Sequence, residues 1–305
     1  MKLYLAPLQG YTDAPFRHFH AQLFGKIDGY FSPFLRLEKG EPARRTLRDI
    51  LSPLNDGLYF VPQIIFRDCE EFLRLVDALK EAGFDRIDLN MGCPFPPQVK
   101  KGRGAGFLYR IDELNKVAKA INDDTAVRYS VKMRLGVEQQ DEWQSVAPIL
   151  RDTRLEHITI HPRTAREQYK GALHFDEFER LADALSKPII FNGEIHTPDD
   201  IVKIVARCPW LAGVMVGRGV LARPSLFAEW SAGEEWDEQT RISKQLQLHD
   251  SLYAHYKPLL CGDAQLLSRI KSFWDYSELP HRPLKKILKS SRIDDYEAAV
   301  RELRR

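Results

Sequence analysis

A thiol, a buried amine and two glycine turns carry the chemistry of this sequence. Cys93 sits in the turn Gly92-Cys93-Pro94, just after Asn90 and Met91. With an ordinary pKa of about 8.5 it is mostly protonated at neutral pH and can donate a proton. A lone cysteine is more often inert, so this role depends on where the fold puts it. Lys132 falls inside a short apolar run. A lysine there needs an anionic partner or a function, a structural ion pair being the plainer reading. Arg134 comes two residues later. His161 and Arg163 alternate along another run's end, where an arginine can bond a carbonyl-rich base edge or a phosphate. Asn192-Gly193-Glu194 and Gly217-Arg218-Gly219 are turns whose backbone N–H groups, beside a helix N-terminus, can hold a phosphate. Plain βα turns use glycine as well.

These residues share a position: each follows or ends a short apolar run. The runs are Leu3–Ala6, Tyr30–Phe34, Tyr59–Ile65, Arg86–Leu89, Tyr129–Met133, His157–Ile160, Pro188–Phe191 and Gly213–Val216. They read as buried parallel strands. Helical spacing separates most of them, over Glu70–Glu81, Ile111–Ile121, Glu142–Leu150, Phe175–Leu185 and Pro198–Val205. Strand and helix alternate to the end with no order reversal, which favours a closed (β/α)8 TIM barrel over an open doubly wound sheet. Barrel active sites lie at the C-terminal strand ends. There the sequence offers Pro7 after the first strand, Gln63 on the third, and the residues above on the others. Past Ser231–Glu235, read as a linker, only helices are expected, over Thr240–Tyr256, Ala264–Tyr276 and Asp294–Leu303. The α/β barrel is therefore assigned to residues 1–232 and a small all-helical C-terminal domain to 233–305.

Composition narrows the partners. The chain has 305 residues, 44% hydrophobic and 29% charged, enough for a sizeable core. A net charge of +2 does not argue for nucleic acid, so charge placement matters more. His281–Arg292 carries Arg282, Lys285, Lys286, Lys289 and Arg292 with no acidic residue, until Asp294. Arg269 and Lys271 stand beside Phe273, Trp274 and Tyr276. Basic residues mixed with aromatics suit an RNA backbone with exposed bases, though charge runs are usually solvated helix faces. Gly102-Arg103-Gly104-Ala105-Gly106 has the wrong spacing and context for a dinucleotide loop. With Lys100 and Lys101 it reads as a flexible basic loop over the barrel mouth or, equally, as a simple solvated turn. The four cysteines lack metal or disulfide spacing, so no metal is expected. No secretory pattern opens the chain, and no apolar run approaches the roughly 20 residues that span a bilayer. A cytoplasmic, membrane-free monomer is expected.

Taken in order, the motifs resemble the tRNA-dihydrouridine synthases. Leu5-Ala6-Pro7-Leu8-Gln9-Gly10-Tyr11-Thr12-Asp13 with Phe16-Arg17, Leu89-Asn90-Met91-Gly92-Cys93-Pro94, Val131-Lys132-Met133-Arg134, His161-Pro162-Arg163-Thr164, Asn192-Gly193-Glu194-Ile195 and Met215-Val216-Gly217-Arg218-Gly219 carry the resemblance over nearly the whole chain. It implies an FMN-binding barrel, reduced by NADPH, that converts uridine in the tRNA D-loop to 5,6-dihydrouridine. Cys93 would be the proton donor. FMN contacts would fall on Pro7, Gln63, Lys132, His161, Asn192, Gly193, Glu194, Gly217 and Arg218. Asn90, Arg134 and Arg163 would place the uracil or nearby RNA, and Arg269, Lys271, Lys285 and Lys286 would meet the tRNA. Arg269-Ile270-Lys271-Ser272-Phe273-Trp274 is similar to the C-type branch, which modifies position 16. Met91 and Phe95-Pro96-Pro97 depart from the family pattern. Two other readings remain open. One is a flavin barrel acting on a free pyrimidine or enoate, for which a basic helical tail is superfluous. The other is an RNA-binding protein with a silent barrel, which the intact Cys93, Lys132 and His161 oppose.

Overall fold

Alternating apolar runs and capped helices close into a ring in the computed structural model. It describes residues 1–25, 27–279 and 281–304; the His281 side chain and Arg305, the end of the expected helical domain, lie outside the described residues. The strands are β1 (Lys2–Leu5), β2 (Gly29–Phe31), β3 (Phe60–Val61 and Gln63–Ile64), β4 (Arg86–Met91), β5 (Arg128–Gly136), β6 (Leu155–Thr164), β7 (Ile189–Phe191) and β8 (Gly213–Val216). Neighbours pair parallel, and β8 returns to β1 through Leu3↔Val214 and Leu5↔Val216. β3 breaks at Pro62, which has no N–H to give the ladder. Its first half pairs with β2 (Tyr30↔Phe60) and its second with β4 (Gln63↔Asp88), so the ring still closes.

β5 and β6 run further than the apolar runs Tyr129–Met133 and His157–Ile160 indicate. Their polar ends stay in the ladder, with Arg134 opposite His161 and Gly136 opposite Thr164. Side chains alternate across a strand, so each strand sends every second residue into the barrel. One sector of the interior is apolar: Tyr4, Phe31, Val61, Ile190 and Met215 pack together. The other, from β3 to β6, holds Gln63, Asp88, Asn90, Ser130, Thr159 and His161, all buried.

Caps fix where the outer helices begin. Asp13 caps Ala14–Phe24, Asp68 caps Cys69–Glu81, and Thr197 forms a capping box with Asp200 at Pro198–Arg207. Two expected helices are broken. Glu142–Leu150 is a 3-10 turn followed by Ala147–Asp152, and Ala264–Tyr276 is Gly262–Lys271 followed by the turn Ser272–Trp274. Ser231 and Ala232 belong to the helix Leu226–Ala232 rather than to a linker; Gly233, at φ +67°, ends it. Helices Glu238–Tyr256, Gly262–Lys271, His281–Lys289 and Ile293–Glu302 complete the chain. No helix among the described residues is long and apolar enough to cross a membrane.

The helical region docks onto the barrel through the first βα segment. Arg269 pairs with Asp13 and donates to the Gly10 carbonyl (2.5 Å), Tyr256 Oη donates to Asp13, and Tyr11 Oη donates to Asp275 (3.0 Å). Lys271 Nζ bonds the Ser290 carbonyl. Trp274 is fully buried and donates to Tyr296 Oη (2.8 Å). The basic and aromatic residues expected on an RNA-facing surface at 269–274 thus have interior partners: Arg269 and Lys271 tie elements together, and Trp274 is core.

Candidate active site

The C-terminal strand ends bring Pro7, Asn90, Cys93, Lys132, Arg134, His161, Asn192, Gly193, Glu194, Gly217 and Arg218 around one cleft of about 970 Å³, its open mouth included. Gln63 and Arg163 lie beneath this lining. Lys285 and Lys286 sit far along the chain in helix His281–Lys289, both exposed, with Lys286 bonded to Glu302 (2.7 Å).

The turn bearing Cys93 is held from below by a chain of hydrogen bonds. Ser130 Oγ donates to Asp88 (2.6 Å), and Gln63 Nε2 donates to the other Asp88 oxygen (2.6 Å). Asn90 Nδ2 donates to Gln63 Oε1 (2.7 Å), and Asn90 Oδ1 accepts from the Cys93 N–H (2.8 Å) and the Gly92 N–H (3.2 Å). A carboxylate only accepts. Asp88 therefore fixes which way both amides face, and the chain ends on the cysteine turn. Arg134 clamps the same turn from the side, donating to the Gly92 carbonyl (3.0 Å) and to the Thr164 carbonyl (2.8 Å). Asp88 and Ser130 were not singled out from sequence. The signal was there, as polar residues at every second place in Asp88–Asn90 and Ser130–Arg134.

The segment after the turn is a buttress and not a flexible loop. Gly104–Tyr109 is a 3-10 helix, buried from Gly104 to Leu108. Arg103 is buried against Glu71 (2.6 Å). Ala105 N–H donates to the Cys93 carbonyl (3.1 Å). A Cβ on Gly104 would lie 2.7 Å from Cys93 Cβ, and one on Gly106 2.3 Å from the Val99 carbonyl oxygen. The glycines let backbone pack on backbone behind the thiol.

Burial sets the charge states. It pushes the Cys93 thiol up, against a Phe95 backbone N–H and the cations Arg134 and Lys132, so the thiol keeps its proton. Lys132 is brought down to about 8, by burial first and Arg134 next, with Asp88 opposing. Asp88 rises to about 6 for the same first reason. His161 is held neutral by burial among Arg134, Lys132, Arg163 and Arg218. Its Nε2 is 3.4 Å from Arg163 Nη1, a donor, which leaves the ring proton on Nδ1.

Glu194 is the anion of the opposite wall. It accepts from Arg163 (2.5 Å) and Arg218 (2.8 Å), and with burial opposed chiefly by Arg163 its pKa falls. Arg163 also donates to the Gly171 carbonyl (2.5 Å), so it organises the wall and does not present a free fork. Asn192 Nδ2 donates to the Met215 carbonyl (2.7 Å). Tyr169, another residue without a sequence signal, lies under two guanidinium groups, 5.3 Å from Arg134 and 4.5 Å from Arg218. Lys132 differs from the others. Its neighbours act on it through charge alone, with no hydrogen bond among the described residues. A cation free to bond, carboxamide edges, and walls thinned at Gly193 and Gly217 fit a planar, anionic, phosphate-bearing cofactor. No group of His, Cys, Asp and Glu among the described residues could hold a metal ion.

A (β/α)8 barrel with a protonated thiol and a partly buried lysine, free of hydrogen bonds among the described residues, at its mouth is laid out as an enzyme of the barrel class. The profile of the family described as dihydrouridine synthase (Dus) matches residues 4–288, and the chain belongs to that family. A probable tRNA-dihydrouridine synthase of Helicobacter pylori (strain ATCC 700392 / 26695) is 32% identical over 74% of this chain and 68% of its own length. Probable tRNA-dihydrouridine synthase 2 of Bacillus subtilis is 29% identical over 84% of this chain and 81% of its own. A Xenopus laevis protein named tRNA-dihydrouridine(47) synthase [NAD(P)(+)]-like is 29% identical over 77% of this chain, and the match spans only 37% of that longer relative. Among solved structures, a morphinone reductase superposes with a TM-score of 0.53 at 10% identity, over 78% of this chain and 87% of that one. A variant of NCR from Zymomonas mobilis gives 0.52 at 13%, over 78% and 88%. At such identities these two show the fold alone.

Proposed function

We propose that this protein reduces uridine in tRNA to 5,6-dihydrouridine, with FMN as cofactor, NADPH as reductant and Cys93 as proton donor. The observation that carries the reading is the pairing in one cleft of a thiol kept protonated with a lysine that has no hydrogen-bond partner among the described residues. The names of the Helicobacter and Bacillus relatives support the reaction, and the NAD(P)(+) in the Xenopus name supports a nicotinamide reductant. A morphinone reductase of the same fold is described in complex with tetrahydroNAD.

Bound flavin supplies hydride to the uracil ring. The rest of the work belongs to the chain. With flavin bound, Lys132 would meet its anionic part, and Gly193, Gly217 and Arg218 would hold its phosphate. Pro7, His161, Asn192 and Glu194 complete that wall, and Gln63 supports it from below. Cys93 gives its proton to C5 of the uracil, and the raised pKa keeps that proton available at neutral pH. Asn90 and Arg134 place the base, and Arg163 acts at one remove by fixing Glu194. The helical region from residue 233 binds tRNA through Lys285, Lys286 and Lys289, while Arg269 and Lys271 hold that region in place. The target is a D-loop uridine, assigned to position 16, in the cytoplasm, by a monomer.

Dihydrouridine mapping of tRNA from cells with and without the gene, with plasmid rescue, tests the reaction and names the site. The Xenopus name carries position 47, so a loss there, not in the D-loop, would correct the assignment. The absorption spectrum and released cofactor of the purified protein test FMN. Unchanged tRNA beside a bound flavin would mean either a redundant enzyme or a free pyrimidine or enoate substrate, and turnover of the purified protein on both substrate classes separates the two.

A further inference from the structure

Phe95 is the residue of the cysteine turn that faces outward. The residue is 58% exposed, although its neighbours in the turn line the cleft. A single exposed ring is common on a protein surface, so its meaning depends on its setting. The setting is rigid: the Phe95 carbonyl accepts from the Gln98 (2.8 Å) and Val99 (3.1 Å) N–H groups. Pro94, Pro96 and Pro97 surround it and restrict the backbone further. The ring is thus held beside the cleft mouth at little entropic cost to whatever stacks on it. The next stretch of chain indicates the partner's charge. From Pro94 to Ile111 there is no acidic residue, and Lys100 and Lys101 are exposed with no ion pair among the described residues. A flat apolar face beside unpaired cations matches a nucleic-acid strand with an unpaired base.

We propose that Phe95 is a stacking platform for an unpaired base of the RNA, next to the one that enters the cleft, with Lys100 and Lys101 on the adjoining phosphates. This rests on the reading of an RNA substrate. It adds a contact on the barrel itself, remote from the basic helix His281–Lys289. Extruding a nucleotide breaks its stacking on its neighbours. A ring at the rim restores part of that stacking for the base left behind and keeps the gap open.

The test is a tryptophan reporter. Phe95→Trp, read as a fluorescence difference against the wild-type protein, is titrated with tRNA and with a fully paired RNA duplex of equal length. Quenching by tRNA and not by the duplex is expected. In steady state, Phe95→Ala raises KM for tRNA about tenfold. Its kcat at saturation, flavin content and melting temperature stay within about twofold or a degree of wild type, and Phe95→Tyr restores KM. No fluorescence change with tRNA, or an unchanged KM in Phe95→Ala, overturns the proposal. Equal quenching by duplex overturns base stacking. The fluorescence titration needs no turnover, so it decides Phe95 even if no dihydrouridine forms and the reaction assigned above fails.

Discussion

Gly104→Ala puts the buttress behind Cys93 to a quantitative test. Gly104 has φ +59°, and an added Cβ would stand 2.7 Å from Cys93 Cβ and 2.8 Å from the Cys93 carbonyl oxygen. Carbon atoms settle at about 3.5 Å or more, so one side must yield by roughly 0.8 Å. Residue 104 cannot retreat, because Ala105 is bonded to the Cys93 carbonyl and Gly106 already abuts Val99. The cysteine turn therefore moves. The left-handed backbone costs an alanine about 1–2 kcal/mol, and the overlap adds about 1–3 kcal/mol. The sum is about 2–5 kcal/mol, a fall in melting temperature of about 3–8 °C for a chain of this size. If Cys93 is the proton donor proposed above, a shift of this order lowers single-turnover dihydrouridine formation about 10- to 100-fold. Gly83→Ala is the control. It has φ +89° with nothing within 4 Å of its Cβ, so it carries the backbone cost alone and keeps the rate. If Gly104→Ala turns over within about twofold of Gly83→Ala, the buttress does not position the thiol.

Cys93→Ala should keep bound flavin and its reduction by NADPH yet lose dihydrouridine formation; normal turnover would remove Cys93 as proton donor. Replacing Lys285, Lys286 and Lys289 together by alanine should weaken tRNA binding and make it less dependent on salt, since each phosphate contact released lowers the slope. Unchanged binding in a salt titration would take that helix off the RNA surface. Acid should expose the buried His20, whose ring bonds Tyr30 Oη (3.1 Å) and the Pro224 carbonyl (3.0 Å) and whose pKa burial lowers to about 4. Its folded pKa lies below the unfolded value of about 6.5, so the unfolded chain binds the proton first and stability falls as pH drops from 6.5 towards 4. About 2 kcal/mol is lost between pH 7 and 5. Urea unfolding of His20→Gln over that range should show a shallower fall, and an equal slope would rule the histidine out.

The ring of strands was legible because a parallel strand is buried on both faces and leaves a short apolar run, as at Gly213–Val216. The mouth was legible because Cys93, Lys132 and Asn192 come at the ends of such runs. What was misread depended on partners distant in sequence. Arg269 meets Asp13, 256 residues away, and nothing near Arg269 announces that pair. Trp274 beside basic residues reads the same whether its ring packs in a core or awaits a base. The glycines at 102–106 read as freedom, whereas Gly104 and Gly106 allow the closest packing behind the thiol.

The polar sector of the barrel is the strongest sign that this interior serves chemistry. Tyr4, Phe31, Ile190 and Met215 show that the same ring accepts apolar filling. Against them, Asp88 is pushed up to about 6 and Lys132 down to about 8, each toward its neutral form, with burial the leading cause in both. Their mutual attraction opposes the shift and does not cancel it. Two groups that sustain one another for stability would move apart, the acid downward and the base upward. Thr159 Oγ1, buried with no hydrogen-bond partner among the described residues, adds to the cost. Buried charges of this kind are commonly replaceable by apolar side chains with no loss of stability. What an apolar sector could not do is aim Asn90 at the Cys93 turn or leave Lys132 free for an anion, and those two arrangements are what the sector provides.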